Sequence, residues 1–371
     1  MLFTIDRDSL LNKLKIVEKV TAQRGNVQPV LSNVLFEAEN NTLNLSSTDL
    51  EISIKSKTTV AVKKEGKITL PAKKLLEIAA KLPDKPVEFT LNEDTNIVNI
   101  SCGSSKFEII GISASEFPKI DDEMPEGSEI EIDIEPFIKS IKNTVYAAAN
   151  YENRNVISGV FCRIKDNTLE MAATDGNRLT RIIEVINNKE AKSAKIVIPS
   201  KTLNEFLRIC SFVQEEKVIL VVDKSRLTLK TMNFSINSRL IEGEYPPYEQ
   251  LIPKTTANNA LVSRESLIMA LDRVSTMVND RTSIVKFIFN EGKLTLKAET
   301  PNSGASEDVI DCEYNADELT IAFNYKYVLD SVKTMESKNV KAGLNGCLSA
   351  ALFKPDNEEN YICLIMPIQI R

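Results

Sequence analysis

From Val156 to Ile182 the chain reads VISGVFCRIKDNTLEMAATDGNRLTRI. Apolar and polar residues alternate, pause at Asp166-Asn167, alternate again, and stop at a polar tip, Thr174-Asp175-Gly176. A period of two broken by turn residues predicts an antiparallel hairpin. The pattern recurs. Val30 to Ile54 has the same turn chemistry at Asn40-Asn41 and the same step at Thr48-Asp49. A third, worn copy runs from Ile284 to Ile310 with Thr300-Pro301 at its tip. Thr48, Thr174 and Thr300 are spaced 126 residues apart, and a fixed period over the whole chain means one unit used three times.

Each unit opens with a short strand that enters an amphipathic helix. The apolar faces are Leu10, Leu11, Leu14, Val17 and Val20 in the first copy, then Phe137, Ile138, Ile141 and Val145, then Leu267, Ile268, Leu271, Val274 and Val278. This is helical spacing. Asp6 to Ser9 offers N-caps for the first helix, which is expected over residues 6–25. Its counterpart, with Pro136 in the first turn, is expected over 135–154. After the hairpin comes a strand, a break at Pro71, Pro199 or Asn324, and a second helix. Alternating strands then close each unit near Pro118, Pro246 and Pro367. Two helices and about eight strands per unit, in the order βαβββ twice, imply an α+β fold with helices covering one face of antiparallel sheet. The expected domains are 1–122, 123–253 and 254–371, joined by short polar linkers.

Composition narrows the chemistry. The 371 residues include six cysteines, none in a CxxC pair, and no histidine. Scattered cysteines that ignore the repeat read as thiols of a reducing compartment. The lack of imidazole removes Ser-His-Asp and Cys-His catalysis and His-ligated metal sites. No apolar run approaches the roughly 18 residues of a membrane span. The N-terminus, MLFTIDRDSL, lacks the pattern of a secretory signal, so a cytoplasmic location is expected and no cofactor is implied.

The net charge is −6, mildly against a nucleic-acid partner. Its distribution points the other way. The six expected helices (residues 6–25, 71–83, 135–154, 200–210, 263–281 and 324–338) carry +2, +2, +1, +1, 0 and +1. They therefore hold +7, which leaves −13 for everything else. Lysine favours helices and aspartate favours turns, which accounts for part of this split. The rest suits helices that face a polyanion through sequence-independent phosphate contacts.

Seven stretches taken in order, FTIDRDSLL, LSNVLFEAENNTLNLSSTDLEISI, ITLPAKKLLEIAAKLP, AATDGNRL, SRLIEGEYPPYEQLIP, AFNYKYVLDSV and IMPIQI, are similar to the bacterial sliding-clamp family, the beta subunits of DNA polymerase III. The resemblance covers the whole chain. It implies three repeated DNA-clamp domains, with helices on the inner face and antiparallel sheets outside. Two chains would pair head to tail into a ring around duplex DNA. Such a protein does no chemistry. It holds a weakly bound polymerase at high effective concentration by topology. The partners it implies are duplex DNA, a second copy of the chain, the replicative polymerase subunit, the clamp loader and other proteins bearing a clamp-binding motif.

The resemblance also implies site residues. A peptide cleft between the second and third domains would use Ile157, Thr174, Gly176, Arg178, Leu179, Pro246 and Leu251, then Asn324, Tyr327, Leu364, Ile365, Met366, Pro367 and Ile368. Duplex contact falls to Arg24, Lys73, Lys74, Arg154 and Lys201. Ring closure falls to Phe107 and Ile109 on one side and Thr276 and Met277 on the other, covering exposed strand edges. Ile157, Leu179 and Leu364 also suit plain strand core, as do Phe107 and Ile109. Two positions depart from the family pattern: Asn177 stands where histidine is usual, and Gln369, followed by terminal Arg371, where arginine is common.

Two other readings fit parts of the sequence. One is an enzyme with a carboxylate metal site at Asp49, Asp175 and Asp311. The other is a three-domain scaffold that binds peptides but not DNA.

Overall fold

The first hairpin shows how local chemistry sets the frame. Asn40 and Asn41 both adopt positive φ, +48° and +55°, the turn whose twist matches two paired strands. The computed structural model describes residues 1–21, 28–120, 128–150, 155–188, 192–278, 282–301 and 303–369. In the first third the order is β1 (Leu2–Ile5), α1 (Arg7–Val17), β2 (Asn33–Glu39), β3 (Thr42–Thr48), β4 (Ile52–Thr59), β5 (Ala61–Lys64), β6 (Gly66–Pro71), α2 (Ala72–Lys81), β7 (Val87–Asn92), β8 (Ile97–Cys102) and β9 (Ser105–Ile110). The central third has β10 (Ser128–Asp133), α3 (Ile134–Lys142), β11 (Gly159–Lys165), β12 (Thr168–Thr174), β13 (Arg178–Val185), β14 (Ala194–Pro199), α4 (Ser200–Cys210), β15 (Lys217–Val222), β16 (Arg226–Lys230) and β17 (Phe234–Arg239). The last third has β18 (Asn258–Ser263), α5 (Arg264–Ser275), β19 (Ile284–Asn290), β20 (Lys293–Thr300), β21 (Gly304–Glu313), β22 (Leu319–Asn324), α6 (Tyr325–Thr334), β23 (Asn339–Leu344), β24 (Ala351–Pro355) and β25 (Tyr361–Ile365).

The βαβββ order therefore appears twice in each third, with β5 as an extra strand in the first. The helix starts follow the sequence signals. Asp6 caps α1 by accepting from the Ser9 amide, and Asn324 caps α6 by accepting from the Lys326 amide. Several helices end earlier than expected: the one expected over 263–281 ends at Ser275 and the one over 324–338 at Thr334. The helix expected over 6–25 ends as α-helix at Val17 and continues as one 3-10 turn, Glu18–Val20. The one expected over 135–154 ends at Lys142. There the Thr144 hydroxyl donates back to the Ser140 carbonyl at 2.7 Å, a competition with helix propagation that Thr favours.

Packing groups the chain differently from the sequence period. One compact unit is residues 1–134 with 201–240, the other 135–200 with 241–371. Strand pairing explains the grouping. In the first unit β17 pairs with β4, giving an eight-stranded sheet, β10-β15-β16-β17-β4-β3-β2-β6, beside a five-stranded one, β5-β1-β7-β8-β9. In the second, β13 pairs with β25 inside a twelve-stranded sheet, β14-β11-β12-β13-β25-β24-β23-β18-β21-β20-β19-β22. All pairings are antiparallel among the described residues. Each unit has its own core: Phe3, Phe36 and Phe89 in one, Phe287, Phe289 and Phe323 in the other, all buried.

No helix among the described residues is long and apolar enough to cross a membrane. The six cysteines are free. Burial pushes the Cys162 and Cys210 thiols up to about 12, so they stay protonated and unreactive at neutral pH.

Candidate functional site

The hairpin β12–β13 ends in a tip closed by its own side chains. The Thr174 hydroxyl donates to the Arg178 carbonyl at 2.6 Å and accepts from the Gly176 amide at 3.1 Å. Asp175 Oδ1 accepts from the amides of Asn177 and Arg178 at 2.9 and 3.0 Å. Gly176 takes φ +89° with open space where a Cβ would stand. Glycine reaches this backbone without steric cost.

Arg178 is fixed from all sides. Its Nε donates to Asp175 Oδ2 at 3.0 Å and its Nη1 to Asp330 Oδ2 at 2.8 Å. Nη2 donates to the Tyr146 carbonyl. The guanidinium also lies over the rings of Tyr327, 4.5 Å from its centroid, and Tyr146, at 5.3 Å. Only 10% of the side chain is exposed, so its charge is balanced locally. The Tyr146 hydroxyl in turn meets that of Tyr361 at 2.9 Å.

Beside the tip lies an apolar floor. Phe161, Ala172, Leu179, Tyr248 and Leu364 are buried together, with Tyr245, Ile252, Ala350 and Leu352 packed at the edge. Phe161 sits 5.5 Å from Tyr245 and 5.7 Å from Tyr248 between ring centroids. Both phenols serve the frame. The Tyr245 oxygen accepts from the Thr174 amide at 3.1 Å, and the Tyr248 hydroxyl donates to Glu170 Oε1 at 2.8 Å. Burial raises both phenol pKa values, so neither ionises near neutrality.

The chain end passes over this floor. The Met366 amide donates to the Asn177 carbonyl at 2.9 Å and the Ile368 amide to the Ala322 carbonyl at 2.7 Å. Met366 is 49% exposed and Leu251 65%. Ile157, Pro246, Asn324, Tyr327, Pro367 and Ile368 are half-buried. Leu179 and Leu364 pair directly across β13 and β25. Ile365, next along, is fully buried and offers no open surface. Together these residues set an aromatic and aliphatic cluster beside a neutralised arginine, with Met366 exposed next to the tip. This arrangement suits a short apolar peptide. Sequence reasoning missed Tyr146, Tyr245, Tyr248 and Asp330. The pair Tyr245 and Tyr248 flanks Pro246-Pro247 in a chain with 6% aromatics, a signal that was available.

The other expected residues lie elsewhere. Lys73 and Lys74 are exposed on α2, and Lys74 meets Glu77 at 3.1 Å. The Lys201 ammonium is held by Asp49 at 2.6 Å and Glu51 at 3.0 Å. Arg24 and Arg154 lie outside the described residues, as does Arg371. Phe107 is half-buried and Ile109 buried on β9, while Ile110 is 73% exposed. Among the described residues β9 pairs only with β8. In the other unit Thr276 caps α5 and Met277 follows it. The Met277 carbonyl accepts from the Thr300 hydroxyl at 2.7 Å, and the Ser306 hydroxyl donates to the Val274 carbonyl at 2.9 Å. On the side of β21 away from β20, only Cys312 and Glu313 are paired, with β18, which leaves residues 304–311 as an open edge among the described residues.

The three aspartates of the metal reading are each committed locally. Asp49 meets Lys201, Asp175 meets Arg178, and Asp311 meets Lys293 at 2.5 Å.

Comparison with known proteins agrees with this geometry. Models of the DNA polymerase III beta subunit match in chain order: the N-terminal domain over residues 1–121, the central domain over 131–247 and the C-terminal domain over 249–369. The beta sliding clamp of a Synechocystis species is 30% identical over 386 residues, with 98% of each chain covered. That of Vibrio cholerae is 28% identical over 373 residues, with all of each chain covered. The solved sliding clamp of Bacillus subtilis superposes over the full length of both chains with a TM-score of 0.92 at 27% identity. A Pseudomonas aeruginosa clamp bound to griselimycin does so equally well, with the same score and identity. By these matches over almost its whole length, the chain belongs to the DNA polymerase III beta subunit family.

Proposed function

We propose that two copies of this chain close into a ring that encircles duplex DNA, slides on it and tethers the polymerase. The domains of each copy run over 1–122, 123–253 and 254–371. As a family member the chain is a non-catalytic processivity subunit of DNA polymerase III, and it works in the cytoplasm. The groove beside Arg178 is the peptide cleft. Its occupants are the clamp-binding segments of the polymerase subunit, the clamp loader and other replication and repair proteins. Apolar ligand side chains rest on Leu179, Leu364 and Met366, with Ile157, Thr174, Gly176, Pro246, Leu251, Asn324, Tyr327, Pro367 and Ile368 around them. Arg24, Lys73, Lys74, Arg154 and Lys201 are the proposed duplex contacts. Lys201 is the weakest of them, because Asp49 and Glu51 already hold it.

The observation that carries the ring is an open strand edge in each unit at the seam the family resemblance implies. β9 ends one five-stranded sheet, and residues 304–311 of β21 have a free outer side. Unpaired edges invite another strand. A head-to-tail dimer pairs β9 of one copy with β21 of the next and covers Phe107 and Ile110, with Ile109 already buried beside them, against Thr276 and Met277.

Solution mass tests the seam. Wild type is expected at twice the chain mass of 41.4 kDa. Phe107→Asp, and separately Ile110→Asp, are expected to shift it to one chain. The second variant matters because Ile110 is too exposed for its loss to unfold the sheet. A dimer that survives both changes refutes this seam.

A further inference from the structure

The repeat builds a second cleft in the other compact unit. Thr48, Asp49, Leu50 and Ile52 stand 126 residues before Thr174, Asp175, Gly176 and Arg178. Their hydrogen bonds repeat as well. The Thr48 hydroxyl donates to the Ile52 carbonyl at 2.8 Å and accepts from the Leu50 amide at 3.0 Å. Asp49 Oδ1 accepts from the Glu51 and Ile52 amides at 3.0 and 2.9 Å. Strand register extends the match. Ile52 pairs with Ser238 as Arg178 pairs with Ile365, so Arg239 occupies the place of Met366. Leu227 pairs with Ser238 as Ala351 pairs with Ile365, so Arg226 occupies the place of Ala350. A cleft of about 170 Å³ opens there, lined by Leu50, Ile52, Pro118, Ile120, Arg226 and Arg239 among others.

We propose that this cleft binds a linear peptide in which an apolar side chain is flanked by carboxylates. The cleft has an apolar floor. Ile120 packs on the buried Val30, Leu31 and Phe117, and Ile52 is buried. Leu50 projects beside it, 58% exposed and at φ +77°. A leucine held in the left-handed region with its side chain in water is a strained arrangement of the kind found at ligand sites. Charge complementarity answers the carboxylates. Two positions that are apolar in the first cleft are arginines here, and Lys119 adds a third cation. Among the described residues no ion pair or side-chain hydrogen bond engages the Arg239 guanidinium. Arg226 rests on Asp223 at 3.3 Å. The nearby carboxylate Glu51 is held by Lys201. An adjoining cavity of about 460 Å³ shares Thr228 and Asn237 and is lined by Lys55, Lys57, Lys67 and Lys230 against Glu37 and Glu39. On a chain of net charge −6, such a cationic rim over an apolar floor selects for acidic peptides and against neutral ones.

The test is fluorescence anisotropy with a labelled hexapeptide, leucine-phenylalanine between pairs of acidic residues, and the full-length protein carrying Met366→Glu, which disables the groove beside Arg178. Binding to this background is expected in the micromolar range, about tenfold weaker when Arg239→Glu or Ile120→Asp is added, and abolished when the acidic residues of the probe become lysines. Each of four results overturns the proposal: no binding by the Met366→Glu protein up to about 1 mM, binding unchanged when Arg239→Glu is added, equal binding of the lysine probe, or full displacement by a ten-nucleotide oligothymidylate. The last would assign the arginines to a phosphate backbone instead.

Discussion

At the tip Thr174–Arg178 the cation that closes the turn comes from the hairpin itself. At Thr48–Ile52 it comes from a helix, because Lys201 at the start of α4 reaches Asp49 and Glu51. Lys201 also stands 126 residues before Tyr327, the ring that covers Arg178. One backbone plan thus holds two side-chain solutions. In the first, a planar guanidinium is sandwiched by aromatic rings and two carboxylates, which leaves the groove floor to apolar groups. In the second, a flexible ammonium does the closing and the arginines line the rim. The difference shows that the repeat conserves the hydrogen bonds of the tip, while the chemistry of the cleft is set by the few side chains around it.

Substitutions sharpen this contrast, and the largest effect is expected at Arg178. Arg178→Ala leaves Asp175 Oδ2 and the Tyr146 carbonyl without their donor and removes two ring contacts. A loss of about 3 kcal/mol in the second unit is expected, discounted because Asp330 is partly exposed. Denaturant unfolding reads the stability, and clamp-motif peptide binding is expected to fall with it. Tyr248→Phe leaves buried Glu170 without one donor and is expected to cost about 1.5 kcal/mol by the same measurement.

Lys201→Ala is expected to cost only about 1 kcal/mol, since 37% of the side chain is exposed and screened. Its pH dependence separates the two tips. Burial works to lower the Lys201 pKa, but hydrogen bonds and charge from Asp49 and Glu51 outweigh it, and the net shift is upward from 10.5. The stability this lysine adds is therefore complete below that ordinary value and fades as pH rises through the folded-state value. The gap between wild type and Lys201→Ala is expected to stay flat through neutral pH and to narrow only above about 10.5. A gap that changes between pH 6 and 9 would contradict the pairing.

The smallest effect is expected at the paired positions Leu50 and Gly176. Leu50→Gly relieves a left-handed leucine but adds unfolded-state freedom, for a net change within about 0.5 kcal/mol. Gly176→Leu has no such offset and is expected to cost about 1 kcal/mol. Equal effects at the two positions would break the parallel.

The sequence made the hairpins legible because alternation and turn residues such as Asn40-Asn41 and Asp166-Asn167 are local signals. The helix starts at Asp6 and Asn324 were legible for the same reason. The helix ends were not. Apolar spacing runs on through Val145 although the Thr144 hydroxyl has already turned back on Ser140. The compact units were not legible either, since they depend on which edges meet, β17 with β4 and β13 with β25. In the cleft, the motif residues followed from family resemblance. The aromatic floor and the cage around Arg178 did not, because Tyr146, Tyr245, Tyr248 and Asp330 converge only through tertiary packing.

The most direct test of a threaded ring is retention on DNA. The protein is loaded with clamp loader onto a nicked circular duplex, isolated by gel filtration in high salt, and the circle is then cut once with a restriction enzyme. Co-elution with the intact circle followed by release on linearisation is the expected result. Loss from the intact circle, or retention after the cut, would contradict encirclement.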